Sequence, residues 1–473
     1  MSDSYDLVVI GAGSAGLSAA SFAAELGARV ALVDRARPGG DCLATGCVPS
    51  KTLINVTPVA WELRHADRLG LAAAVPRIDL ARINAHVQAT IERVYQFERP
   101  EALREKGIDF LAGGARFLGP DVVLAGDRPL RGGHFIVCTG AHPASPRLPG
   151  LDRVPFLTYE DIFQLGALPR QLVVLGTGPV GIEFAQAFGR LGSRVTVIGR
   201  SGRVLGKSDP TIQAFIEATL RDEGIDLRLQ APAERVESLP EHRARVVTSR
   251  GPIDGDALLV ALGRCPNVEG LGLDRADVAY TDLGIVVDAK LRTTNPRVLA
   301  CGDVVGGPQL SHYAAWQGYL ATRNALLPGA SRGIPAQVPW AVFTDPEVAA
   351  VGLSEPAARE RYRDDLTIHQ LSLERVDRAQ TDGEARGIVK VIARRNGQIV
   401  GAHVVAARAG EMIQEYVLAI NRGIRLDQLA TALHVYPTYA TANQQVAAAF
   451  WTERLLTGTR GRVIRLLAQL GRA

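Results

Sequence analysis

Cysteine is scarce in this chain. Five cysteines in 473 residues are odd in number and too few for the disulfide scaffold of a small secreted domain. Net charge is small as well: 53 basic against 49 acidic residues leave +4, too slight an excess to argue for a nucleic-acid partner. No apolar run reaches the ~18 residues that a bilayer-spanning helix needs, so no transmembrane segment is expected. The opening MSDSYDLVVIGAG lacks the basic-then-apolar layout of a signal peptide. With 47% hydrophobic and 22% charged residues, the composition is that of a soluble globular protein of two or three domains. A cytoplasmic location is expected.

Against that scarcity one segment stands out. GGDCLATGCVPSK, residues 39–51, carries two of the five cysteines, Cys42 and Cys47, with Lys51 four residues further on. Its meaning depends on its neighbours. Residues 5–10, YDLVVI, form a short apolar run that ends in Gly11-Ala-Gly13-Ser14-Ala15-Gly16. A small-residue helix and a second strand ending at Asp34 follow. Strand, Gly-x-Gly-x-x-Gly, helix, strand and acid in this order are the grammar of a dinucleotide-binding turn. The glycines let the backbone approach a pyrophosphate at a helix N-terminus, and Asp34 would accept from a ribose hydroxyl.

The grammar returns at residues 171–200: QLVVLG, then Gly176-Thr-Gly178-Pro179-Val180-Gly181, a helix, and RVTVIGR. Two such units imply two dinucleotides, one a bound redox cofactor and the other a soluble electron donor. The second unit lacks its acid. Gly199 stands in that place, followed by Arg200 and then Arg203. Arginine would receive the 2′-phosphate that a carboxylate repels, which favours NADPH, with NADH the alternative. Both arginines lying free in water is the bland reading. Beyond residue 335 there is no phosphate loop; VPWAVFTDPEVAAVGLSE and GIVKVIARRNGQIVGAHVV predict a hairpin-rich sheet with a turn at Asn396-Gly397. The stretch AGEMIQEYVLAINRG predicts a helix.

Over nearly its whole length the chain resembles the pyridine nucleotide-disulphide oxidoreductases, the family of lipoamide dehydrogenase, glutathione reductase and mercuric reductase. The matching motifs are GGDCLATGCVPSK, the CTG at 138–140, the GRCPN at 263–267 and TTNPRVLACGDV ending in Gly302-Asp303-Val304. The resemblance implies an α/β fold with two Rossmann-like dinucleotide-binding domains and a C-terminal α+β dimerisation domain. Residues 1–150 and 271–335 would bind FAD, 151–270 NAD(P), and 336–465 would form the dimer interface, leaving 466–473 as a tail. It implies a homodimer in which Tyr436 of one subunit reaches the Cys42 site of the other.

By the same resemblance FAD would lie along Gly11, Gly13, Ser14, Ala15, Gly16, Asp34, Arg35, Gly40, Asp41, Cys42, Cys47, Lys51, Ala115, Thr139, Gly140, Arg264, Gly302 and Asp303. Gln309, Leu310, Ser311 and His312 would complete its site. The nicotinamide nucleotide would use Gly176, Gly178, Pro179, Val180, Gly181, Glu183, Arg200, Arg203 and Gly263. Cys47 would face the flavin as a thiolate and Cys42 would attack substrate. Lys51 would pair with Glu183 beside flavin and nicotinamide. No structural metal site is expected, although Cys42 and Cys47 are candidate transient ligands. Cys138, Cys265 and Cys301 are read as packing residues.

One departure bears on substrate. Disulphide reductases of this family end in His-x-His-Pro-Thr-x-x-Glu, where the second histidine serves as base. Here the segment is His434-Val-Tyr436-Pro-Thr-Tyr-Ala-Thr441. Tyrosine titrates near 10 and histidine near 6.5, which makes Tyr436 a poor base by ~3 units. His434 would share a face with Tyr436 in an extended segment and could restore some proton transfer. Mercuric reductases carry tyrosine at this place, yet the tail FWTERLLTGTRGRVIRLLAQLGRA has no cysteine pair for passing on a metal. A thiol-bound metal ion or an unusual disulphide is therefore the expected acceptor. The alternatives are a dihydrolipoamide dehydrogenase, a low-molecular-weight disulphide reductase, or a docking subunit of a multienzyme assembly. The basic, leucine-bearing tail is expected to pack on its own domain, with an anionic membrane surface as alternative.

Overall fold

Residues 5–10 do form a strand, Asp3–Ile10, and its neighbours explain its composition. It lies between two parallel partners, Val30–Asp34 and Arg128–Val137, and Leu7, Val8 and Val9 are fully buried. A strand covered on both faces reads as a continuous apolar run. Ile108–Ala112 extends the sheet beyond Val30–Asp34. The computed structural model describes residues 3–470. It divides into two compact units, Met1–Arg200 with Ile225–Ala336, and Ser201–Gly224 with Gln337–Ala473.

The long strand Arg128–Val137 changes partner midway. Its first residues pair antiparallel with Val122–Ala125, whereas its last three pair parallel with Val298–Ala300. The chain ends after Val137 and Ala300 therefore emerge side by side. Helix Ser14–Glu25 buries Ala15, Gly16, Ala19, Ala20 and Ala23. Those small faces admit helix Ser311–Leu326 at close range: a Cβ on Gly318 would meet Ala15 O, and Thr322 donates to Ala19 O at 3.1 Å.

The second glycine turn sits on a four-stranded parallel sheet, ordered Asp226–Arg228, Arg194–Ile198, Gln171–Leu175 and Ala257–Val260. A three-stranded antiparallel sheet, Ala233–Ser238, Ala244–Thr248 and Gly251–Gly255, accompanies it.

The other unit carries the hairpin-rich sheet. Its five antiparallel strands run in the order Trp340–Val342, Glu347–Gly352, Ile399–Ala406, Ile388–Ala393 and Thr367–Ser372. Asn396 and Gly397 make the expected turn, with Gly397 at φ +93°. Helices Ala409–Arg422 and Thr441–Leu456 close its core around the fully buried Tyr416. Helix Pro210–Asp222 belongs here too. At its start Asp209, fully buried, takes Lys390 Nζ at 2.8 Å, and Lys390 reaches Glu355 at 2.7 Å. Burial pushes the Asp209 carboxyl up, but the Lys390 bond and the Glu355 amide outweigh it and hold it below the usual range.

The tail meets its own domain along one side, where Arg465 donates to Leu456 O at 2.9 Å. Helix Gly458–Leu470 leaves Val463, Leu466, Leu467 and Leu470 each at least half exposed, so this face does not pack into the domain core. Residues 471–473 of the tail lie outside the described residues. Among the described residues no helix is long and apolar enough to cross a membrane.

Candidate active site

Both glycine turns repeat one steric design. Gly11 (φ +103°) and Gly176 (φ +125°) lie in the left-handed region, where a side chain is strained. Each backs onto a neighbouring chain: a Cβ would stand 2.4 Å from Cys138 O at Gly11 and 2.3 Å from Ala261 O at Gly176. Gly16 and Gly181 press against the carbonyls of Gly11 and Gly176. The middle glycines are open, Gly178 having no atom within 4 Å of its would-be Cβ. Each turn thus leaves one clear approach at the N-terminus of a helix, Ser14–Glu25 or Pro179–Leu191, the place for a phosphate. Asp34 braces the first turn, accepting from Ala12 N at 2.6 Å and Ala36 N at 2.9 Å. Gly113 N donates to Asp34 O at 2.8 Å, which brings the start of Ala115–Gly119 near this corner; Arg35 is exposed.

Cys42 lies in the short helix Gly40–Ala44, and Cys47 is the first residue of the 18-residue helix Cys47–Arg64. A helix N-terminus favours an anion. Cys47 Sγ is 3.1 Å from Ser311 Oγ, and the hydroxyls of Ser311 and Ser14 both reach Cys42. The two thiols do not titrate alike. The hydrogen bond from Cys42, against opposing burial and with help from Ser311 and Lys51, draws Cys47 down to about 6. Donation to Cys47 and burial push Cys42 up. One thiolate is stabilised, and it rests on Cys47.

Lys51, one turn along the same helix, donates to Glu183 Oε2 at 2.8 Å across 132 residues of sequence. Lys51 is 34% exposed and Glu183 only 8%. The pair stands at the junction of the cysteine helix and the second glycine-turn helix, whose Pro179 and Val180 are exposed.

Arg264 gathers three motifs. It donates to Asp303 Oδ2 at 2.7 Å, to Ala141 O at 3.0 Å, and to Asp41. Thr139 and Asn267 clasp each other, Thr139 Oγ1 to Asn267 O at 2.7 Å and Asn267 Nδ2 to Thr139 O at 2.8 Å. Two buried polar atoms here have no hydrogen-bond partner, Arg264 Nε and Thr45 Oγ1. Orphaned buried donors beside an open phosphate turn fit a polar cofactor such as FAD. Gly140, Gly263 and Gly302 flank this cluster, and Gln309, Leu310 and His312 adjoin Ser311 at the helix start.

Two expectations are corrected. Cys265 is exposed and does not pack. It lies on strand Arg264–Pro266, and alternation sends it outward while Arg264 turns in. His434 and Tyr436 do not share a face, because their segment is bent and not a strand. His434, half-buried, sits 3.0 Å from Glu415 Oε1, whereas Tyr436, 69% exposed, donates to Asp377 Oδ2 at 2.7 Å. That bond raises the Tyr436 phenol and weakens it further as a base. His434 and Glu415 form a histidine–carboxylate pair of their own, and Asn443 Nδ2 donates to Glu415 Oε2 at 2.8 Å.

Glu415, Asp377 and Tyr159, whose hydroxyl donates to Asp41 Oδ2 at 3.2 Å, carry no motif and were missed. Asn267 was legible as the end of GRCPN. At the second turn, Gly199 N donates to Arg228 O at 2.9 Å and Arg200 beyond it is exposed. In the other unit Arg203 donates to Gln213 Oε1 at 3.2 Å. Among the described residues no group of three or more His, Cys, Asp or Glu could hold a metal ion.

This geometry has known counterparts. The pyridine nucleotide-disulphide oxidoreductase model matches residues 5–318, and the family's dimerisation-domain model matches 338–447. A mercuric reductase of Streptomyces lividans is 37% identical over 464 residues, 95% of this chain and 97% of that protein. A dihydrolipoyl dehydrogenase of Chlamydia trachomatis is 32% identical over 447 residues, 93% and 95% of the two. Among solved structures, LpdA of Mycobacterium tuberculosis superposes with a TM-score of 0.87 at 30% identity, covering 94% of this chain and 99% of that one. The HOCl-induced flavoprotein disulfide reductase RclA of Escherichia coli, in its Cu(II) complex, gives a TM-score of 0.84 at 28% identity, covering 93% and 99%.

Proposed function

The chain belongs to the pyridine nucleotide-disulphide oxidoreductase family, and from that premise we propose an FAD-dependent, NADPH-preferring oxidoreductase that delivers electrons through Cys42 and Cys47 to a thiol-bound soft metal ion. FAD, when bound, supplies the two-electron link between nicotinamide and the cysteine pair. The first glycine turn, Asp34, the Thr139–Asn267 clasp and the Arg264–Asp303 pair would hold it. Arg200 and Arg203 are the candidate receptors of a 2′-phosphate.

The placement of the two thiols carries this reading: Cys47 heads an 18-residue helix with its sulfur 3.1 Å from Ser311 Oγ, and Cys42 lies in the short helix just before it. A thiolate on Cys47 and a protonated Cys42 are the reduced state of a dithiol whose outer member takes the substrate. Lys51 and Glu183 would orient the nicotinamide. A metal dithiolate needs sulfur ligands and two electrons more than a proton shuttle; with Hg(II), NADPH, one proton and the metal dithiolate give NADP⁺, Hg(0) and two thiols. The exposed, hydrogen-bonded Tyr436 suits that demand better than it suits disulphide reduction. The dimerisation domain supports a homodimer; in it Tyr436 of one subunit would stand at the Cys42 site of the other, and the reducing cytoplasm would be its setting.

A disulphide reductase is the second reading, and the His434–Glu415 pair favours it. NADPH oxidation by the purified flavoprotein against Hg(II) with excess thiol, glutathione disulphide, lipoamide, quinones and oxygen separates the two. Hg(II) is expected to turn over fastest; rapid lipoamide turnover that His434→Ala abolishes would reverse the ranking. Arg200→Glu is expected to shift the NADPH/NADH ratio of kcat/KM by about tenfold towards NADH. An unchanged ratio counts against the cofactor assignment.

A further inference from the structure

Cys138 and Cys301 are 163 residues apart in sequence, yet their sulfur atoms are 3.4 Å apart. The partner change of strand Arg128–Val137 causes this. Val137 is in register with Ala300, so the two cysteines take the next position on neighbouring parallel strands, and Cys301 N donates to Val137 O at 3.1 Å. Such strands run ~4.8 Å apart, inside the ~4.4–6.8 Å between Cα atoms that a disulfide spans. From 3.4 Å, the sulfurs need approach by only about 1.4 Å to reach bonding distance.

Neither thiol has a part in the chemistry proposed above. Both are buried, at 6% and 0% exposure, in the alanine-rich core with Ala12, Ala15 and Ala314. Burial pushes the Cys138 thiol far up, so it rests as a neutral thiol. Each is followed at once by a turn assigned to the flavin cradle, Thr139-Gly140 or Gly302-Asp303.

We propose that Cys138 and Cys301 are a second, latent dithiol, which a small hydroperoxide converts to a disulfide joining the ends of the two strands beneath the flavin cradle. In the first step one sulfur attacks hydrogen peroxide, breaking the O–O bond and leaving a sulfenic acid and water. In the second, the other sulfur displaces that oxygen: the S–S bond forms, the S–O bond breaks, and a second water leaves. Two thiols are oxidised and one peroxide is reduced. Burial closes the pair to bulky disulfides such as oxidised glutathione and makes the reaction slow, since the oxidant enters only on local opening. The link is independent of the acceptor assigned to Cys42; only its position under the flavin rests on that reading.

The test is a time course. The FAD-loaded protein is treated with hydrogen peroxide, quenched, denatured in an alkylating agent, and mapped by mass spectrometry without reduction. The Cys42–Cys47 link is expected first. A peptide pair joining Cys138 to Cys301, two hydrogens lighter than the free peptides, should then accumulate over hours. Its formation should raise Tm by about 5 °C, reversibly with dithiothreitol, and Cys138→Ala and Cys301→Ala should each abolish the rise. Full alkylation of both cysteines throughout, or conversion of either to sulfinic acid instead of the link, would overturn the proposal. The peptide map is read on the native sequence, so it holds even if a variant folds poorly. A protein inactive towards Hg(II) that still forms the link would sink the function and leave this inference standing.

Discussion

Cys42 and Cys47 lie in two successive helices five residues apart in sequence; Cys138 and Cys301 are 163 residues apart. The first pair is partly open and lies at a helix N-terminus beside two serine hydroxyls and a lysine, and it settles into one thiolate and one thiol. The second is closed among alanines, and burial keeps Cys138 protonated. The two lysine–carboxylate pairs divide in the same way. Lys51, a third exposed, meets Glu183 where nucleotide and sulfur would converge, while Lys390 and Asp209 are sealed at 1% and 0% exposure. Surroundings, and not the type of residue, separate the accessible pair from the sealed one. A group left partly in solvent exchanges protons and ligands readily, and a sealed one only when the structure opens locally.

Four measurements would break or sharpen this contrast. Cys42→Ser should cut turnover by about 10³ or more, while Cys301→Ala should leave it within about twofold. Equal losses would erase the distinction. Lys390→Ala leaves Asp209 buried without its cation and should cost about 3–5 kcal/mol in denaturant unfolding. Lys51→Ala should cost less, because solvent that already reaches Lys51 can take its place beside Glu183, and comparable losses would mean that both pairs are structural.

The third is a pH profile. Cys47 is an acid whose folded value lies below its unfolded one, so its thiolate persists above about 6 and is lost as pH falls through that value. Iodoacetamide alkylation of the reduced protein should follow that midpoint at Cys47 and label Cys138 only slowly, at the pace of local opening. The smallest effect concerns its tuning. Glu183 raises and Lys51 lowers the Cys47 thiol, so Glu183→Gln should move the midpoint down and Lys51→Met should move it up. Movement in the same direction would show that these charges do not act on the sulfur.

Both glycine turns, the Cys42–Cys47 segment and the Lys51–Glu183 pair were legible in the sequence, because each motif is set by local geometry at fixed spacing. Lys51 and Glu183 lie 132 residues apart, but each belongs to such a motif. Partners set by packing alone left no trace. Nothing near Glu415 announces His434, nothing near Asp377 announces Tyr436, and the meeting of Cys138 with Cys301 depends on a strand that exchanges neighbours along its length. The outward turn of Cys265 is likewise a matter of strand alternation, decided only once Arg264 has its carboxylates.

The Lys390 anchor bears on any attempt to divide the molecule. Because Asp209 draws its countercharge from the five-stranded sheet, a fragment cut after residue 336 would retain helix Pro210–Asp222 without the surface that shelters it. It would expose an acid that the full chain keeps dry, together with the apolar side chains of Ile212 and Ile216. Such a piece would be prone to aggregate even with both glycine turns intact.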